Sequence, residues 1–473
     1  MKKIRIIALI FVLIIPKIIP FFIHWVPLGY DPGLYRAIYN VYNNMLPYID
    51  FSALPLRLKH EPLRAFRTML LSFMGLHIDF LLTRGYVAIS LIISFLLYMH
   101  FNTTEESRPN NTKYQFFFII LLWGLSIVQF EAFSYMYYKQ LIGIVLMLLI
   151  FFFREKKTYY HTIPLIACLF LLHRTTSVYF IATSVLFFIT QWVQYKKINK
   201  AFAICIIVAG TIWLVWYIPY FTTLIGNFIQ PALSSLSGDW LVWLFFTRYE
   251  FLRYEVLLTP FVIAWLIYKI KHQRYDIWFR GCIVWLLRMG SWFINYRRSF
   301  IDFDIFLIVL AGQGMAMLRE KILKIISIPI VILIILQLGY FFSYVQEHSV
   351  PLISKEQLHF LQQLDLTLPK TATIMIDSSS YTTRVMWYTN RQRISPWLSD
   401  LNIRDKKWWD SRRAATPEWK CLLMQTFPPT SNYNDIFFIS RTNTITDNII
   451  KQTSCFTFIQ TDAWLSLFHY NKK

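Results

Sequence analysis

The sequence predicts a polytopic α-helical membrane protein with a small extracytoplasmic α/β domain after its last span. Three observations carry that expectation. The 473-residue chain is 56% hydrophobic and only 15% charged, well away from the composition of a soluble chain of that length. Apolar runs of near-spanning length recur through its first two-thirds. The short loops between them are basic: REKK at 154–157, QYKKINK at 194–200, KIKHQR at 269–274 and REKILK at 319–324. Short basic loops mark the cytosolic side of a membrane. They explain the net charge of +21 without a nucleic-acid partner.

The elements follow in order. MKKIR precedes an apolar run at 6–23. A cleaved signal peptide would need a small-residue cleavage site, and Pro16, Lys17 and Pro20 interrupt this run, so it reads as a retained anchor with the N-terminus inside. Further spans are expected at 86–101, 115–130, 138–153, 158–172, 175–192, 201–218, 256–270, 277–294, 303–318 and 324–345, for about eleven in all. The stretch 66–82 is apolar but carries His77 and Asp79; it suits an interfacial helix or an extra half-span. With the N-terminus inside, all four basic loops fall on the cytosolic side. One missed span would reverse every later loop, so their agreement supports the count. It places 24–65, the turn after Phe130, HRTT at 173–176, 219–255, NYRRSFID at 295–302 and everything after about 346 on the outer side.

The chain therefore divides into a transmembrane domain, 1–345, with a long first outer loop at 24–65, and a soluble domain, 346–473. In the second, ATIMIDS (372–378), DIFFIS (435–440) and CFTFIQ (455–460) read as strands and YTTRVMWYT (381–389) as a short helix. No internal repeat stands out. Of five cysteines, Cys168, Cys205 and Cys282 lie in apolar spans, where burial makes thiols inert. Cys421 and Cys455 lie in the tail and are free to pair if the tail is outside the cytosol. No C-x-x-C or His/Cys cluster marks a zinc site.

The residues able to do chemistry gather on the outer side. The first loop contributes Asp31, Tyr35, Arg36, Asp50, Arg57, Lys59, His60 and Glu61. The turn at 173–176 adds His173 and Arg174, and the late segment adds Arg297 and Arg298, with Arg288 inside a span nearby. A carboxylate that takes a proton from a hydroxyl, with cations that hold a departing phosphate, is the equipment for transfer from a phosphorylated lipid donor. Structural readings stand beside each. Asp31 precedes Pro32 as a helix N-cap would. Asp50 suits a turn, and Glu61 an ion pair with Arg57 or Arg64. His173, Arg174 and the later arginines also suit interfacial anchoring, although charges at membrane depth are functional candidates by default. No P-loop, G-x-S-x-G, H-E-x-x-H or dinucleotide fingerprint is present. Gly312 and Gly314 lie in a span, where they permit close helix packing.

The stretch GYDPGLYRAIYNVYNNMLPYIDFSALPLRLKHEP resembles the first outer loop of the GT-C glycosyltransferases, the polytopic enzymes that use polyprenyl-phosphate-linked sugars, including the protein mannosyltransferase and aminoarabinose transferase-like branches. The family pattern is an acid soon after the first span, often D-E-G-x-Y, then L-P-Y-x-D-F, then H-K-P-P. Here Asp31, Gly33, Tyr35, Leu46, Pro47, Tyr48, Asp50, Phe51, His60 and Pro62 match. HRTT resembles a His-bearing turn of the same fold. By this resemblance Asp31 is the general base, with Asp50 and Glu61 as further acids. His173, Arg174, Arg297 and Arg298 bind the donor phosphate, and Tyr35, Arg57, Lys59 and His60 are loop contacts. Pro32 stands where the family's second acid does, so a divalent metal is open but not favoured, and no other cofactor is implied. Glu61 stands where a Lys is common.

The resulting expectation is a transferase of the cell membrane with its site and C-terminal domain outside the cytosol. It would move a sugar from a polyprenyl-phosphate donor to a glycan, lipid or protein acceptor of the envelope. Three rivals remain: an O-antigen ligase or polymerase-like enzyme, which concentrates its site in a large late loop; a polyprenyl-linked-glycan transporter, which predicts polar breaks near mid-membrane and paired halves; and a non-catalytic envelope-assembly protein.

Overall fold

A computed structural model describes residues 84–102, 112–134, 138–218, 249–272, 276–291, 296–321, 327–348, 355–369, 373–376, 394–395, 436–441, 448, 450–452, 454–461 and 465–471. The expected first span, the whole first outer loop, the stretch 66–82, the helix at 381–389 and Cys421 lie outside them.

The helical unit consists of α1 (Arg84–Asn102), α2 (Thr112–Leu125), α3 (Ile127–Ser134), α4 (Tyr138–Glu155), a 3-10 turn (Tyr159–His161), α5 (Thr162–Leu172), α6 (Arg174–Tyr195), α7 (Lys200–Tyr217), α8 (Tyr249–Lys271), α9 (Ile277–Ser291), α10 (Tyr296–Lys321) and α11 (Ser327–His348). Among the described residues, Thr176–Tyr195 and Ile301–Leu318 are long and apolar enough to cross a membrane. Gln115–Leu125 and Ile127–Ser134 make a third if their 48° bend interrupts one span. Val87–Phe101, Tyr159–Leu172 and Lys200–Val215 are shorter apolar helices.

Burial separates centre from rim. Of Ile301–Leu318, 94% is buried, against 39% of Thr176–Tyr195. A helix apolar all round belongs in the middle of a bundle, and α10 packs against α2, α3, α6, α8 and α9. Along the rim, α6 exposes Val185, Ile189 and Val193, α7 exposes Ile204, Ile207 and Val215, and α11 exposes Ile335, Leu336 and Phe342. Water does not tolerate apolar surface of that extent; hydrocarbon does, and these faces mark a membrane protein.

The glycines of α10 explain how its neighbours come so close. A Cβ on Gly312 would stand 2.6 Å from Ile119 Cγ1 of α2, and one on Gly314 would stand 2.2 Å from the backbone oxygen of Phe261 on α8. Small residues at helix interfaces serve this purpose in membranes. Because the obstacle at Gly314 is backbone, G314A is expected to cost about 1–3 kcal/mol by overpacking. A thermal melt of the purified protein would show it as a lowered midpoint. Gly210 and Gly339 have nothing within 4 Å of such a Cβ, so alanine there is the control and leaves the midpoint in place.

The largest departures from the expected spans are at three helix boundaries. The run expected as one span at 115–130 breaks at Ser126, between α2 and α3. Helix α8 starts at Tyr249 rather than 256, and α10 starts at Tyr296 rather than 303. An apolar window stops at charge, whereas a helix backbone continues through Arg297, Arg298 and Asp302 at a cost of at most about 0.7 kcal/mol per residue. The segment NYRRSFID is thus mostly the first turns of α10, not a loop.

The second unit contains α12 (Lys355–Thr367) and a five-stranded sheet of β1 (Thr373–Ile376), β2 (Ile394–Ser395), β3 (Ile436–Arg441), β4 (Phe456–Thr461) and β5 (Leu465–Tyr470), in the order β2-β1-β3-β5-β4. The β1 pairings with β2 and β3 are parallel, and the β3–β5 and β4–β5 pairings antiparallel. Phe360, Leu361 and Leu364 form the buried stripe of α12, while Phe438, Ile439, Leu465, Leu467 and Phe468 are buried in the sheet. Cys455, beside β4, is held in a disulfide.

Candidate functional site

The break at Ser126 is where a polar site begins. Ser126 Oγ accepts from the backbone N–H of Gln129 at 3.0 Å, which caps the start of α3, and donates to Asp304 Oδ2 at 2.6 Å. Serine suits both tasks because one hydroxyl donates and accepts. Gln129 Nε2 donates to the same Asp304 oxygen at 3.0 Å and to the backbone oxygen of Ile301 at 2.9 Å. The helix bend is thereby fastened to the first turns of α10.

Asp302 faces the other way. Two residues along a helix is a rotation of about 200°, which turns Asp302 from α2–α3 toward α4 and α6. Its Oδ1 accepts from Thr176 Oγ1 at 2.8 Å and its Oδ2 from Gln140 Nε2 at 3.1 Å. Asp302 and Asp304 are both 0% exposed. Acids so deeply buried at membrane depth are expensive and persist where they do something. A third buried acid, Glu131 of α3, accepts from Tyr344 of α11 at 2.8 Å.

His173 joins the network through Thr176. Their Nδ1···Oγ1 separation is 2.9 Å, and the Thr176 backbone N–H approaches Nδ1 at 3.4 Å. One ring nitrogen cannot donate and accept at once. With Asp302 ionised, the single hydroxyl proton of Thr176 goes to Asp302, so Thr176 accepts from His173 Nδ1–H. The shorter contact then places a ring proton on Nδ1. The 3.4 Å approach is the weaker of the two. Helix α4 comes close enough to enclose this line because Gly143 has no side chain; a Cβ there would lie 3.2 Å from Thr176 Oγ1.

The residues expected to act are distributed as follows. His173 is buried within the network. Arg174 is the first residue of α6, and Arg297 and Arg298 lie in the first turn of α10. The Thr176–Asp302 bond ties those two helix starts together. Asp31, Tyr35, Asp50, Arg57, Lys59, His60 and Glu61 lie outside the described residues. Asp302, Asp304, Glu131, Ser126, Gln129 and Gln140 were not singled out from the sequence. The signal for the acids was present in IDFDIFLIVL and VQFEAF, where a carboxylate interrupts an apolar run. Among the described residues no group of three or more His, Cys, Asp or Glu side chains converges as metal ligands. Asp302 and Asp304 accept hydrogen bonds from hydroxyl and amide donors.

The described helices form an apolar bundle with a network of buried polar side chains where α3, α6 and α10 begin. The chain is similar in structure to the oligosaccharyltransferase of Archaeoglobus fulgidus, solved in complex with zinc and sulfate. The TM-score is 0.53 at 12% identity, over 92% of this chain and 68% of that one. The likeness is one of fold. No protein-family model matches the sequence, and no curated protein matches it.

Proposed function

We propose that the protein is a membrane glycosyltransferase that moves a sugar from a polyprenyl-phosphate donor to a glycan, lipid or protein acceptor on the extracytoplasmic face. The acceptor hydroxyl loses its proton to Asp31. Its oxygen attacks the anomeric carbon of the sugar, the bond from that carbon to the phosphate oxygen breaks, and polyprenyl phosphate leaves. His173, Arg174, Arg297 and Arg298 hold the phosphate as its charge rises. Asp50 and Glu61 are the alternative acids. One displacement with one base inverts the anomeric configuration.

The observation that carries this reading is the Thr176–Asp302 bond at 2.8 Å, in a fold similar to that of an oligosaccharyltransferase. It joins the start of α6, with His173 and Arg174, to the start of α10, with Arg297 and Arg298, so the cation-bearing segments meet at one end of the bundle. The disulfide at Cys455 supports an oxidising compartment for the second unit.

The test is turnover by the purified full chain in nanodiscs, given a labelled polyprenyl-phosphate sugar and an envelope acceptor fraction. Release of polyprenyl phosphate with an inverted glycosidic product is expected, and a retained configuration overturns the single displacement. The bend at Ser126 is the feature a transporter would also show. Movement of the intact lipid-linked sugar across vesicles without transfer would favour that reading.

A further inference from the structure

The opposite end of the helical unit carries a charge arrangement that the transfer chemistry does not use. Arg154, near the end of α4, and Arg280, in the first turn of α9, both stand over the ring of Phe187 on α6. Their guanidinium carbons lie 4.7 Å and 4.6 Å from the ring centroid. Arg154 is half-buried and Arg280 is 4% exposed. Arg154 Nη1 and Arg280 Nε are sealed from solvent and donate no hydrogen bond. Two guanidiniums sharing one ring repel each other, and a buried cation is costly unless it is paired and hydrogen-bonded.

The nearby carboxylates are already engaged. Asp276 is bonded to Lys269 and caps α9 through the N–H of Phe279 at 3.0 Å. Glu155 is bonded to His100 at 3.2 Å. Both act on Arg154 only through space, and Asp276 acts likewise on Arg280. Arg154 and Arg280 thus share the field of carboxylates that are bonded to other side chains. Around them, Lys156, Lys157, Lys196 and Lys197 form an exposed basic rim. Arg154 is the more exposed of the pair, and Trp192 and Val193, further along α6 from Phe187, are exposed apolar residues. Gln140, near the start of α4, is fourteen residues from Arg154, so at 1.5 Å per residue this pair lies roughly 20 Å from the Asp302 network.

We propose that Arg154 and Arg280 form a binding site for an anionic phosphate group, supplied by the headgroup of an acidic phospholipid at the basic end of the bundle. Guanidinium is the side chain best matched to phosphate, with planar paired donors that a single phosphate satisfies. The ring of Phe187 holds both cations in place, and the lysine rim raises the local concentration of acidic lipid. The apolar faces of α6 accept the acyl chains. This site is independent of the transfer reading.

The test is the melting midpoint of the full chain in phosphatidylglycerol nanodiscs, in phosphatidylcholine nanodiscs, and in neutral detergent with and without inorganic phosphate. Phosphatidylglycerol is expected to raise the wild-type midpoint by about 3 °C over phosphatidylcholine. The R154Q/R280Q variant is expected to lose that shift, and K156A/K157A to keep it. If R154Q/R280Q does not fold, R154Q alone, at the half-buried position, carries the comparison. An equal lipid shift in wild type and the arginine variant overturns the proposal, as does a shift abolished by K156A/K157A alone. If inorganic phosphate in detergent reproduces the shift through the same arginines, the phosphate site stands and its lipid source is overturned.

Discussion

Asp31→Asn is expected to lower sugar transfer about 10²–10⁴-fold, the range by which a positioned general base accelerates a reaction. The substitution is chosen to separate two roles that the sequence D-P-G-L-Y-R allows. Asn caps a helix about as well as Asp does, so a residue needed only as a cap would leave activity and the melting midpoint where they were. A base would lose its proton acceptor while the fold stayed intact. The measurement is initial rate with a labelled polyprenyl-phosphate sugar, alongside a melt of the same preparation. Full activity in D31N, with loss in D50N or E61Q, would move the base to one of those acids.

Much of the helical layout is legible in the chain because a lipid environment makes one demand, a long apolar run, and that demand is written in composition. The runs expected at 86–101 and 138–153 lie within helices of nearly the same extent. The strands Ile436–Arg441 and Phe456–Thr461 lie where apolar, β-branched and aromatic residues cluster. What composition does not carry is where a helix continues past its apolar part. Arg297, Arg298 and Asp302 looked like a loop because charge ends an apolar window, yet they are helical. The break at Ser126 was hidden for the opposite reason. The run SIVQF is apolar enough to pass as one span, and only the Asp304 acceptor, 178 residues away in sequence, explains why a serine caps a new helix there. The candidate site divides along the same line. His173 is conspicuous at the end of LIACLFLL, whereas its connection to Asp302 spans two helices and is a tertiary fact.

That connection makes the second prediction. In Asp302→Ala, Thr176 Oγ1 and Gln140 Nε2 lose the acceptor they now reach at 2.8 Å and 3.1 Å. Each buried donor left without one costs about 1–3 kcal/mol, so the melting midpoint falls clearly. Asp302→Asn behaves differently. Its amide oxygen still accepts from Thr176, and Gln140 satisfies the new N–H₂ by turning its own amide over. Stability is therefore mostly recovered. The charge is not recovered, and with it goes the reason for Thr176 to donate toward Asp302 rather than toward His173. The Nδ1 proton and the tilt of the ring are no longer held. A shift of about 1 Å in a group that positions substrate lowers rate on the order of 10²-fold. D302N is thus expected to keep its fold and lose transfer, with T176S retaining most activity because it keeps the hydroxyl and T176V losing it. If loss of activity in D302N, D302A and T176V instead follows the loss of melting midpoint in proportion, the Asp302–Thr176–His173 line is a structural tie between α6 and α10 and not a device for orienting His173.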